Sequence, residues 1–111
     1  MSRRQIKLGA SALATVVLGS TVAVANETHN RLMQMPEASQ TTALAAVVRS
    51  SGSACTGRGN EFKGVERTSG KAFWRVDCRE GSSYMVQINN DSGGSTRVLS
   101  CNIATKCFGA W

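Results

Sequence analysis

Apolar and polar positions alternate with a period of two along two stretches of the chain. Trp74, Val76 and Cys78 interleave with Phe73, Arg75 and Asp77, and Tyr84, Val86 and Ile88 interleave with Ser83, Met85, Gln87 and Asn89. Such alternation puts every second side chain on one face, so both stretches are predicted to be half-buried antiparallel strands. Between them, Arg79-Glu80-Gly81 supplies a three-residue hairpin loop with Gly where a positive φ is needed. Closing that loop with Cys78 and Ser82 sets Val76 opposite Tyr84 and Trp74 opposite Val86, so apolar side chains meet on one surface. Residues 62–68 read as a preceding strand joined through Ser69-Gly70. Residues 95–101 read as a following strand after the polar loop 89–94, which completes a four-stranded meander.

Upstream the period lengthens. Leu44, Val47 and Val48 fall at the spacing that lines one face of a helix, Thr41-Thr42 can cap its start, and Ser50-Ser51-Gly52 ends it. A helix followed by a meander buries its stripe on one sheet face, so the predicted class is α+β: one short helix packed on a four-stranded antiparallel meander, over residues 41–111. Residues 26–40 are polar, hold the only Pro and the only His, and keep no period, so they read as a linker or a short capping segment. His29 there reads as a solvated tail residue rather than a ligand or base. The tail after the last strand is predicted to be a turn or short helix tied back by Cys107, with Phe108 and Trp111 covering an open edge of the core.

The first 25 residues change the charge and the compartment. Arg3, Arg4 and Lys7 precede an uncharged run that closes on Ala23-Val24-Ala25, the pattern of a secretory signal peptide cleaved after Ala25. The competing reading is a retained anchor, but Gly9, Ser11, Thr15, Gly19, Ser20 and Thr21 leave the run only weakly apolar. Contact with the membrane is therefore expected only in transit, and the mature protein is expected to be periplasmic or secreted. Cleavage leaves ten Lys and Arg against seven Asp and Glu. Those charges intermingle from Arg58 to Glu80 instead of forming a basic patch, which argues against a nucleic-acid partner.

Four cysteines, Cys55, Cys78, Cys101 and Cys107, all lie in the exported part, where an even count favours two disulfides. Spacing does not decide their connectivity; local closure of Cys101 with Cys107 would leave Cys55 for Cys78. Intervals of 22, 22 and 5 residues without a nearby His do not fit a zinc site. In so short a mature chain each bridge carries a large share of the stability.

Little remains for catalysis or cofactors. Gly57-Arg58-Gly59-Asn60 lacks the Lys-Ser/Thr of a phosphate-binding loop and reads as an ordinary loop, Ser92-Gly93-Gly94-Ser95 is turn material, and no nucleophile elbow is present. No catalytic residue, metal or cofactor is expected. If Trp74, Val76, Tyr84 and Val86 face the helix, then Phe73, Arg75, Met85 and Gln87 form an open amphipathic face, the best candidate for a binding surface.

The order of motifs, TTALAAVVRSSG, FKGVER, FWRVDCREGSSYMVQI and STRVLSC, resembles the helix-plus-meander pattern of PepSY-like periplasmic domains. It is more similar to small secreted bacterial proteins of unassigned activity sharing FW-x-V-x-C, G-x-x-Y and GST-x-VL-x-C and ending in Cys-Phe. The resemblance covers residues 41–108. It implies a non-catalytic module that contacts another exported or membrane-bound protein, since PepSY domains are associated with inhibiting or chaperoning peptidases. The four cysteines depart from the generic pattern. A small exported thiol–disulfide redox protein is the alternative.

Overall fold

The computed structural model describes residues 26–102 and 107–108. The predicted signal peptide and Trp111 lie outside the described residues. Two helices, α1 (Glu27–Met33) and α2 (Glu37–Ser50), precede four strands, β1 (Gly57–Val65), β2 (Ala72–Cys78), β3 (Ser83–Ile88) and β4 (Thr96–Ser100). The strands form one antiparallel sheet in the order β1-β2-β3-β4, the α+β meander that the period-two pattern implies. The hairpin register is also the one expected: Val76 opposes Tyr84 and Trp74 opposes Val86. Gly81 closes the loop at φ 97°, and the Cys78 N–H donates to the Ser82 carbonyl at 2.9 Å.

Three elements differ from the expectation. Residues 26–40 are not a linker, because they carry α1 and the first turn of α2. Asn26 caps α1 by accepting from the His29 N–H, while its amide donates to the carbonyls of Gly70 and Ile88, each at 2.9 Å. That places α1 across the end of the sheet, where Leu32 joins the core. α2 starts at Glu37 rather than at Thr41, since Pro36 presets the backbone for entry into a helix and Glu37 favours its first turn. Thr41 is then a buried helix residue whose hydroxyl accepts from the Asn60 amide at 2.7 Å. Finally, Gly57-Arg58-Gly59-Asn60 is the start of β1, not a loop. A Cβ at Gly57 would sit 2.6 Å from the Thr41 methyl, so Gly lets α2 lie directly on the strand.

The core lies between α2 and one sheet face: Leu44, Ala45 and Val48 meet Ala72, Trp74, Val76, Val86 and Ile88. Cys55 pairs with Cys78, linking the α2–β1 connection to the end of β2, and Cys101 pairs with Cys107 beyond β4. Two disulfides mark an oxidising, non-cytoplasmic environment. No helix among the described residues is long and apolar enough to cross a membrane.

Candidate functional site

Antiparallel register fixes which side chains share the face away from the helices. One row runs Glu61, Arg75, Met85, Leu99, and the next runs Phe73, Gln87, Arg97. The predicted binding residues Phe73, Arg75, Met85 and Gln87 do lie together on this face, but it is not open. Met85 is buried at 3% exposure, and the chain beyond β4 returns across Arg75. The alternation that put Met85 outward was right about its face and silent about what covers it. Gln87 and Phe73 are half-buried, and the Gln87 amide donates to the Asn89 side chain at 2.6 Å.

Arg75 is the centre of the arrangement. Its Nη1 lies 3.1 Å from Glu61 Oε1 and donates to the Cys107 carbonyl at 3.2 Å. Its Nε is 3.3 Å from Asp77 Oδ1, at ion-pair distance without hydrogen-bond alignment. Asp77 is held in turn by the Ser83 hydroxyl at 2.6 Å, and Lys63 Nζ shares Glu61 Oε1 at 3.6 Å. Over the guanidinium sits the Phe108 ring, 5.0 Å from centroid to Cζ. The exposed carboxylate of Glu61 makes these ion pairs individually weak, of order 0–1 kcal/mol, and the cation–π contact is worth about 0.5–1 kcal/mol. Together they hold the Arg75 guanidinium beneath the Phe108 ring.

Phe108 is the residue that strand periodicity missed. It was expected to cover an edge of the core, yet it is 58% exposed, while its neighbour Cys107 is fully buried and bonded to Cys101. An aromatic next to a cysteine that closes a short loop was the available signal. The disulfide pins the backbone beside the ring, and the exposed side chain stands as a knob over Arg75.

His29 is the second correction. It is 6% exposed, and its Nδ1 accepts from the Trp74 indole N–H at 3.1 Å. Its ring centroid lies 5.0 Å from Phe62 and 5.7 Å from Trp74, and Phe62 lies 5.1 Å from Trp74, a three-ring cluster under α1. Burial lowers the His29 pKa from its ordinary value, which favours the neutral ring that the indole contact requires. A polar segment around a lone His gave no period to read; the anchor is Asn26, whose role appears only once Gly70 and Ile88 are adjacent.

A shallow cleft of about 400 Å³ beside the first disulfide is lined by Arg49, Cys55, Thr56 and Glu80. Its charges are already engaged. Arg49 donates to the Cys55 carbonyl at 2.8 Å, and Glu80 accepts from the Thr56 N–H and hydroxyl, contacts that lower its pKa. Comparison with protein-family models, curated proteins and solved structures found no match for the chain.

Proposed function

We propose that this chain is an exported, periplasmic or secreted, non-catalytic accessory module that binds another exported or membrane-bound protein through the Phe108–Arg75 knob. The observation that carries this reading is an exposed aromatic ring stacked on a guanidinium and set next to a disulfide-bonded cysteine. Aromatic and Arg side chains dominate protein contacts, and a pre-ordered one loses less entropy on docking. Half-buried Phe73 and Gln87 and exposed Arg97 would form the surround. The PepSY-like order of elements agrees with a binding role, and the one imidazole of the chain is committed to packing against Trp74.

Thiol–disulfide exchange has less support. Cys55, Cys78 and Cys107 are 2% exposed or less, and only Cys101 is half-buried, whereas an exchanging pair must offer a sulfur to its partner. The test of the binding role is co-purification of the mature chain from the exported fraction of its native host, wild type against Phe108→Ala. Loss of a stoichiometric partner with the fold intact is expected. Equal recovery by both chains would overturn the reading.

A further inference from the structure

The two edges of the sheet are not equivalent. β1 is broken by register shifts between Gly57 and Gly59 and between Phe62 and Gly64, irregularities that blunt an edge against pairing. β4 pairs with β3 without a break from Thr96 to Ser100. The Asn89 N–H donates to the Ser95 carbonyl and the Cys101 N–H to the Ser83 carbonyl, which fixes the alternation along the ladder. Residues 95, 97, 99 and 101 therefore bond inward to β3, and Thr96, Val98 and Ser100 direct their N–H and C=O groups to the outer edge. No described strand lies against that edge.

We propose that the outer edge of β4 is a homodimer interface, pairing antiparallel with β4 of a second copy about a two-fold axis at Val98. The choice of occupant follows from the strand itself. Only registers that set outward-facing residues against one another can form bonds. Centring the axis on Val98 pairs Thr96 with Ser100 of the copy and Val98 with its own counterpart, so each outward group of β4 meets a partner. In that register Arg97 lies opposite Leu99 of the copy. The allowed registers on either side, centred on Arg97 and on Leu99, leave Ser100 or Thr96 without a partner on β4 of the copy, and the first also sets two guanidinium side chains face to face, an unfavourable cross-strand pair. Arg97 thus weighs against one of the two neighbouring self-pairings while keeping a charge at an otherwise adhesive edge.

The flanking surface agrees. Val98 opposes Val86 on the helix side of the sheet and packs against the core while remaining half-exposed. Beside it opens an apolar hollow of about 230 Å³, lined by Leu32, Met35, Ala43, Val47, Ile88 and Thr96. A two-fold axis at Val98 keeps both copies' helices on the same side of a continuous eight-stranded sheet, so the two valines meet there and the two hollows flank the seam. Both Phe108 knobs would then stand on the opposite side. The interface does not depend on the partner-binding reading.

The test is sedimentation equilibrium of the mature, disulfide-intact chain from about 10 μM to about 1 mM, a range that captures weak to moderate dimers. A concentration-dependent doubling of mass is expected. Val98→Pro removes an N–H that β3 does not use, so it should keep the monomer fold by circular dichroism and abolish the dimer. In separate variants that each add one cysteine to the disulfide-intact chain, under mild oxidation, Val98→Cys should cross-link between copies and Arg97→Cys should not. A monomer throughout the range, an undiminished dimer in Val98→Pro, preferential cross-linking through position 97, or a monomer that instead takes up an added heterologous strand would each overturn the proposal.

Discussion

Replacing His29 tests whether the segment before α2 is a structural element. In the fold its Nδ1 is the acceptor for the Trp74 indole N–H, and Trp74 is 2% exposed. His29→Ala leaves that donor buried without the imidazole, which costs about 1–3 kcal/mol. It also removes the ring from its contacts with Phe62 and Trp74, worth about 0.5–1.5 kcal/mol for such pairs. A combined loss of about 2–4 kcal/mol lowers Tm by at least about 8 °C in a domain of this size. His29→Asn should recover part of it, because the amide oxygen can reach the position of Nδ1.

The same residue sets a pH dependence whose sign is fixed by the direction of the shift. Folding lowers the His29 pKa, so the unfolded chain binds a proton at a higher pH than the folded one. The contribution is complete above the unfolded value of about 6.5 and declines as pH falls below it, levelling off once the folded state also protonates. The slope in that window is at most about 1.4 kcal/mol per pH unit, the limit for one proton. Urea denaturation followed by circular dichroism at pH 7.5, 6.5, 5.5 and 5.0 measures it for wild type and His29→Asn. The variant should lose the component of slope between pH 6.5 and 5.5. If His29→Ala costs less than about 0.5 kcal/mol, or if the slope is unchanged in His29→Asn, the imidazole does not sit under α1 as described.

The two disulfides should differ in weight. Cys55–Cys78 closes a separation of 23 residues and Cys101–Cys107 one of 6, so loop-closure entropy assigns them about 3 and about 2 kcal/mol. Pairwise Ser variants compared by thermal denaturation should show the larger loss for Cys55 and Cys78, and the reverse order would place the weight in the tail. Gly94→Ala should act on α1 from a distance. Gly94 has φ 60°, and a Cβ there would stand 1.9 Å from the Thr28 hydroxyl, so α1 must shift as well as the backbone strain by about 1–2 kcal/mol. A change below about 0.5 kcal/mol on denaturation would show that α1 does not rest on this turn.

What the sequence disclosed depended on whether a feature was local. The hairpin was legible because Gly81 and the alternation on both sides of it specify one register, and a slip of one residue would have turned Trp74 and Val76 to the wrong face. The start of α2 lies two turns ahead of the apolar stripe of Leu44, Val47 and Val48, where Pro36 and Glu37 are the local signals of helix entry. α1 was not legible, since its stability comes from Asn26 reaching Gly70 and Ile88, residues 44 and 62 positions away. For the candidate site, Phe73, Arg75, Met85 and Gln87 could be placed on one face by parity, but parity says nothing of a tail. The burial of Met85 and the exposure of Phe108 were both settled by where Cys107 returns.

These contacts divide the labour of holding the sheet between its two ends. The Arg79–Gly81 turn, the end of β2 and the end of β4 lie at one end, and both disulfides are there. The opposite end, where Gly70, Ile88 and Gly94 gather, has no cross-link among the described residues, and α1 closes it through Asn26, Thr28 and the His29–Trp74 bond. The first end answers to reductant and the second to acid, because one rests on sulfur–sulfur bonds and the other on an unprotonated imidazole. The Phe108–Arg75 knob is tied down by Cys107 and stands on the sheet face opposite His29, since Arg75 follows Trp74 in β2. A partner surface placed there stays ordered through changes of pH that loosen α1, whereas reduction of Cys101–Cys107 would free the ring while leaving the helix cap in place. For the proposed partner surface the anchor is thus the disulfide rather than the histidine, which packs on the other face of the sheet.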